Sequence, residues 1–266
     1  AFGDAMVLFI TVQNFVQDMY FYLLCQKIRM GTYSYDELFQ RAGLVLGKEV
    51  QKNLQHVRII VFGVGGVGSW CVEGLVRAGI EHITIVDSDN VDVSNINRQR
   101  MATTLTVGLS KVEAMKEELL KINPEADIVA IQKVFNEDTA PDFKLETYDY
   151  IVDAIDSLKD KAALILAATS SPATFFSSMG AARKIDPTRI KVGNFWKVRD
   201  CPLGAALRKK LRRSRTIPEH SFKCVYGDEV TGEQKGSLAH ITCIFGMTLS
   251  GLIIKDIYDK SAPGES

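Results

Sequence analysis

Residues 57–68, Val-Arg-Ile-Ile-Val-Phe-Gly-Val-Gly-Gly-Val-Gly, restrict the architecture of this chain more than any other stretch. Val57 to Phe62 is apolar apart from Arg58, which predicts a strand covered on both faces. Gly63, Gly65, Gly66 and Gly68 follow at once, so the strand runs into a tight turn and, from about Val67, into a helix. Glycines in such a turn let backbone N–H groups close on a phosphate, and the positive end of the helix dipole points at the same anion.

Alone, a loop of this kind serves dehydrogenases, flavoproteins and methyltransferases equally well. The next segments narrow it. Ile83-Thr-Ile-Val-Asp87 reads as a second strand ending in an acid, at a spacing that suits a carboxylate gripping two ribose hydroxyls, with Asp89 beside it. Asn95, Asn97, Arg98 and Gln99 then crowd amide and guanidinium donors just past the ribose site, where a triphosphate would lie and a nicotinamide would not. The fold class expected is α/β: a Rossmann-like, doubly wound, mainly parallel sheet extended by further strands and helices in the second half.

With these residues the chain resembles the ubiquitin-activating superfamily, whose members adenylate a carboxylate. The pattern is complete in Gly63 to Gly68, Asp87, Ser94-Asn95-Ile96-Asn97-Arg98-Gln99, Lys111 and Asp153-Ala-Ile-Asp156, a likeness covering roughly residues 36 to 200. Within that superfamily the chain is most similar to the tRNA threonylcarbamoyladenosine dehydratases. That likeness rests on Gly68-Ser-Trp70, Val107-Gly-Leu-x-Lys111, Asp153-Ala-Ile-Asp-Ser157, Asp186-Pro-Thr188 and Asp200-Cys-Pro-Leu203.

The 266 residues, 46% hydrophobic and 24% charged, suffice for one large α/β domain. We expect an N-terminal extension over 1–30, an adenylating domain over 31–260 and a frayed tail over 261–266. Thirty-two basic and thirty-two acidic residues give no global pull on nucleic acid, so any such binding needs a local patch. The five cysteines form no Cys-x-x-Cys pair, which argues against zinc, and an odd number without a secretory signal fits a reducing cytosol.

Ala5 to Gln17 is uncharged and apolar, but Gln13, Asn14, Gln17 and Asp18 stop it short of the ~20 residues a spanning helix needs. The reading preferred for residues 1–30 is sequence upstream of a start at Met30; a membrane-surface or partner-binding helix is the alternative. Tyr35 to Gly47 and Lys48 to Leu54 read as two helices. Helices are also expected over Leu109–Ile122, Lys159–Ser170 and Pro202–Arg213, with strands over Asp127–Val134, Tyr148–Asp153, Ala173–Ser178 and Ile190–Lys197. The narrow turn Ser177-Ser-Met-Gly-Ala181 suits the approach of a substrate carboxylate to an α-phosphate. Gly236 to Ile254 lacks acids, lysines and arginines, yet His240, Thr242, Thr248, Ser250 and two interior glycines make a helix packed on the sheet the better reading than a membrane span.

For chemistry, the resemblance implies ATP held by the glycine loop and Asp87, and phosphates bound by Asn95, Arg98 and Lys111. Gln99 and Asp153 stand beside them, and Mg2+ is held by Asp156. It also implies a homodimer, with Arg41 entering the partner subunit's nucleotide site; on its own, an arginine on a helix face is ordinarily a solvated charge. No general base is required, because a carboxylate is already ionised at neutral pH. After the acyl-adenylate forms, the dehydratases let the substrate's own ureido group close a ring, whereas activators of ubiquitin-like or sulfur-carrier proteins pass the acyl group to sulfur. Cys201 and Cys71 read as incidental and core respectively. Six of the eight residues from Arg208 to Arg215 are basic (Arg208, Lys209, Lys210, Arg212, Arg213, Arg215), and we read them as contacts to tRNA phosphates. A sulfur-transfer protein is a further candidate partner. A protein-carboxylate activator is the second function considered, and a nicotinamide-dependent oxidoreductase a distant third.

Overall fold

A computed structural model describes residues 33–261, so the expectations for residues 1–30 and for the tail after Ser261 lie outside the described residues. The chain divides into two units after Leu38. The described part of the first is the single turn α1 (Tyr35–Leu38). Ser34 and Glu37 form a reciprocal capping box there: Ser34 N–H donates to Glu37 Oε2 at 2.8 Å, and Glu37 N–H donates to Ser34 Oγ at 3.3 Å.

The second unit opens with α2 (Gln40–Leu46) and α3 (Lys48–His56), separated by Gly47 at φ 83°. Then β1 (Arg58–Phe62), α4 (Gly68–Ala78), β2 (His82–Val86), α5 (Lys111–Leu120), β3 (Asp127–Ile131), β4 (Tyr150–Asp153), α6 (Leu158–Thr169) and β5 (Thr174–Ser178) follow. The chain ends with β6 (Ile190–Asn194), α7 (Pro202–Arg213), β7 (Lys223–Gly227) and α8 (Ala239–Ser261). The seven strands lie in the order β3-β2-β1-β4-β5-β7-β6, all pairings parallel except β6 with β7. This is the doubly wound sheet expected. The order reverses between β1 and β4, and ligands bind at the carboxyl ends of strands flanking such a point.

Alternation along β1 builds the two core layers. Ile59 and Val61 join Leu75, Met115 and Phe245 on one face of the sheet; Ile60 and Phe62 join Ile151, Leu164 and Leu207 on the other. Burial on both faces is why the strand reads as a continuous apolar run.

Strand β7 is absent from the sequence expectations, and β6 is shorter than read: Phe195–Lys197 is a tight turn. The helix α8 is long and apolar enough to cross a membrane by length and composition. Its buried residues Ile241, Phe245, Leu249, Ile253 and Ile257 nevertheless form a stripe at helical spacing that packs along α4 and onto the sheet, as expected. It also continues through Lys255 and Asp256, where the apolar run ends. Asp256 accepts the Tyr150 hydroxyl at 2.9 Å, and Lys260 pairs with Asp256 at 2.7 Å.

Candidate active site

A cavity of about 1060 Å³ opens over the carboxyl ends of β1, β2 and β4. That is the upper end of the range for small-molecule sites, with space for a nucleotide and part of a second substrate.

The glycine loop forms its floor. Gly63 leaves β1 at φ 87°, and a Cβ there would stand 2.7 Å from the Ala154 carbonyl oxygen, so both the turn and the close passage of the β4 chain exclude a side chain. Gly65, Gly66 and Val67 line the cavity ahead of the amino terminus of α4. Asp87 ties this loop to the end of β2: its Oδ2 accepts the Val64 N–H at 2.7 Å and its Oδ1 accepts the Asp89 N–H at 3.0 Å.

Lys111 is the first residue of α5 and is buried, its Nζ 2.7 Å from Asp89 Oδ2 and 3.9 Å from Asp87 Oδ1. The pairing with the exposed Asp89 leaves the ammonium able to exchange a carboxylate for a phosphate. The segment around Arg98 is held by its backbone. Trp70 Nε1 donates to the Arg98 carbonyl at 3.0 Å, and Arg100 N–H donates to Ser69 Oγ at 3.1 Å, so α4 fixes where the guanidinium starts. Arg98 lies on the cavity wall, donating to Ser94 O and Asn97 Oδ1.

Asn95 and Gln99 also line the cavity, both buried. Asn95 has a structural task as well, because its Oδ1 accepts the Asp92 N–H at 3.1 Å in a capping box. Gln99 Oε1 is buried without a hydrogen-bond partner, a polar atom that a ligand donor would satisfy. Asn97 stands off the lining; its Nδ2 donates to Ser237 O at 2.9 Å, tying this segment to the loop before α8.

The two carboxylates at the end of β4 part company. Asp153 is fully buried behind the cavity wall and does not line it. It pairs with the equally buried Lys161 Nζ at 2.8 Å and accepts Ser177 Oγ–H at 2.6 Å and Ile155 N–H at 3.1 Å. Burial pushes its carboxyl up, opposed by Lys161, Ser177 and Ile155. Lys161 also donates to Ile155 O at 2.9 Å, so the pair clamps the turn 154–157 from beneath. Removing one partner of such a pair strands a buried charge, at about 3–5 kcal/mol. Asp156, on that clamped turn, is exposed into the cavity and has no hydrogen-bond or ion-pair partner among the described residues. Asp156, expected to hold Mg2+, thus faces the cavity, while Asp153, expected beside the nucleotide, is turned away from it and supports the turn.

Arg41 lies exposed on α2 and does not line this chain's own cavity. Three and four residues beyond it, Leu44 and Val45 are 81% and 80% exposed.

Several lining residues were not anticipated. Lys133 and Phe135 follow β3 along the same edge of the sheet, and Phe135 packs edge-on against Phe62 at 4.8 Å to make an apolar corner. Beyond the anticipated Ser178, Met179, Gly180 and Ala181, the cavity also takes in Arg183 and Lys184. Lys184 is buried, donates to Glu229 O at 2.5 Å, and its ammonium is pushed down chiefly by that burial. Lys235 adds a cation from the far loop. Cys201 is 3% exposed, and Cys71 is fully buried in the core, where burial pushes its thiol well up.

The chain is similar to known proteins over most of its length. The model of the ThiF family matches residues 39–261. The tRNA threonylcarbamoyladenosine dehydratase of Bacillus subtilis is 39% identical over 191 residues, 72% of this chain and 74% of that protein. Its Escherichia coli namesake is 37% identical over 188 residues, 69% and 70% of the two chains. The crystal structure of the E. coli enzyme, TcdA, in complex with ATP superimposes with a TM-score of 0.80 at 32% identity, covering 85% of this chain and 96% of that one. E. coli MccB, at 21% identity and a TM-score of 0.55, shares the fold. With a family model matching residues 39–261 and relatives above one-third identity over most of both chains, this protein belongs to the ThiF family.

Proposed function

We propose that this chain is an ATP-dependent tRNA threonylcarbamoyladenosine dehydratase that adenylates the threonine carboxylate of its substrate. The observation carrying this reading is that Asp87, Arg98, Gln99, Lys111 and Asp156 line one cavity at the strand switch point, in a chain whose relatives bear that name. Asp87 takes the ribose, the loop N–H groups and Arg98 and Lys111 take phosphates, and the apolar corner of Phe62, Val86 and Phe135 takes the adenine.

The substrate carboxylate attacks the α-phosphorus, the P–O bond to pyrophosphate breaks, and an acyl-adenylate forms. The ureido group then attacks the acyl carbon, AMP leaves with the former carboxylate oxygen, and the ureido proton passes to solvent. The net change in the nucleoside is loss of one water. Ser178 to Ala181 give the carboxylate a narrow approach, and Arg183, Lys184 and Lys235 hold an anionic substrate at that end.

Among the described residues no cluster of three metal-ligating side chains exists. Asp156 is a carboxylate without a partner among the described residues, a donor that fits Mg2+ shared with nucleotide phosphates rather than caged by protein. Bound there, Mg2+ would neutralise charge building on the pyrophosphate. We further propose a homodimer in the cytosol, in which the exposed Arg41 of each chain completes the other's site. The overall reading predicts AMP and pyrophosphate as products, formed only with a tRNA bearing the modified nucleoside. Chromatography of the nucleotides checks this; ADP as product would overturn it.

A further inference from the structure

Outside the nucleotide cavity, the densest positive charge lies along α7, and only part of the basic run shares one surface. Ala205, Arg208, Lys209, Arg212 and Arg213 fall at i, i+3, i+4, i+7 and i+8 on one face of the helix. With Trp196 and Arg199 from the preceding segment they line a groove of about 550 Å³ that, among the described residues, no carboxylate enters. Lys210 and Arg215 lie outside it.

The groove is built around an aromatic ring. Arg208 Nη1 donates to the Phe195 carbonyl at 3.1 Å and its guanidinium sits 5.9 Å from the Phe195 ring, fastening the turn to the helix. Trp196 packs at 5.1 Å against Phe195 and is half-buried, with the Arg212 guanidinium 5.7 Å from its ring centre. Arg208 is therefore committed to holding Phe195 and the turn that carries Trp196, while Arg199, Lys209 and Arg213 stay exposed. Another edge of α7 carries Pro202, Leu203 and Ala206, which line the nucleotide cavity. One helix thus borders both openings, and Leu203 to Arg213 spans about 15 Å along its axis.

We propose that this groove binds a single-stranded RNA segment next to the nucleotide that enters the cavity, with an unpaired base stacked on Trp196 and adjoining phosphates on Arg199, Lys209 and Arg213. The proposal rests on the reading of the protein as an enzyme acting on a tRNA nucleoside, and adds where and in what form the RNA is held. Chemistry on a nucleoside requires it out of the helical stack, and unpaired neighbours are held by aromatic stacking between cations. A duplex would engage the cations and leave Trp196 unused.

Binding of tRNA carrying threonylcarbamoyladenosine, measured over a salt series, tests this. Trp196→Leu is expected to weaken binding roughly tenfold or more with an unchanged salt slope, and Trp196→Phe to keep most of the affinity. Arg213→Ala should instead reduce the log–log salt slope by roughly 0.7. An unpaired oligonucleotide should compete at least about tenfold better than a duplex of equal charge. ATP binding by each variant reports that the fold is kept. Equal affinity of Trp196→Leu and wild type, or equal competition by the duplex, would overturn the groove while tRNA-dependent AMP release by wild type left the enzymatic reading standing. Competition by polyaspartate as strong as by the oligonucleotide would overturn it in favour of an acidic protein. Absence of tRNA-dependent AMP release in wild type would remove the enzymatic reading and the groove with it.

Discussion

An Asp156→Ala chain is expected to bind ATP within about threefold of wild type while losing at least about a hundredfold in turnover, equivalent to about 2.7 kcal/mol of transition-state stabilisation. The split follows from where Asp156 sits. It is exposed, unpaired and on a turn clamped from below by Asp153 and Lys161, so removing it strands no buried group. The ribose and the glycine-loop contacts remain. What is lost is the carboxylate proposed to hold Mg2+ against the phosphates, whose benefit grows as charge moves onto pyrophosphate. Equilibrium dialysis with ATP beside single-turnover rates measures both quantities. A parallel fall in affinity and rate would make Asp156 a binding group.

Mixing two inactive chains, Arg41→Ala and Lys111→Ala, is expected to restore about a quarter of wild-type activity after subunit exchange. In a two-fold dimer with Arg41 acting in trans, half of the dimers are mixed, and each mixed dimer has one site with both cations and one with neither. The structure favours this arrangement because Arg41 is exposed and off its own cavity, while Lys111 is buried on the cavity wall. The exposed Leu44 and Val45 beside it form an apolar surface of the kind a second copy would cover. No recovery, with exchange demonstrated by mass-tagged subunits, would contradict an Arg41 role across the interface.

The parts of the site legible from sequence are those whose chemistry is written in one continuous stretch. The glycine loop, Asp87 and Ser94 to Gln99 each declare a local conformation, and the structure gathers them because β1 and β2 are adjacent parallel strands. Lys111 was legible through its place at a helix start. Lys133, Arg183, Lys184 and Lys235 were not, since a single cation in a loop carries no local mark and only the sheet order brings those loops together. Strand β7 (Lys223-Cys-Val-Tyr-Gly227) carries no long apolar run of its own, and its place comes from two pairings, antiparallel with β6 and parallel with β5 far back in the chain. The sequence suggests separate roles for the two aspartates, Asp153 beside the nucleotide and Asp156 on Mg2+; the structure turns the first inward, where Lys161 pairs with it, and exposes the second on the turn after β4.

Mass spectrometry of nucleosides from tRNA incubated with the protein, ATP and Mg2+ tests the central claim most directly. The predicted result is threonylcarbamoyladenosine converted to a species lighter by one water, with one AMP released per conversion and nothing without ATP. Unchanged threonylcarbamoyladenosine, with AMP formed instead on a small protein's carboxyl terminus, would contradict it.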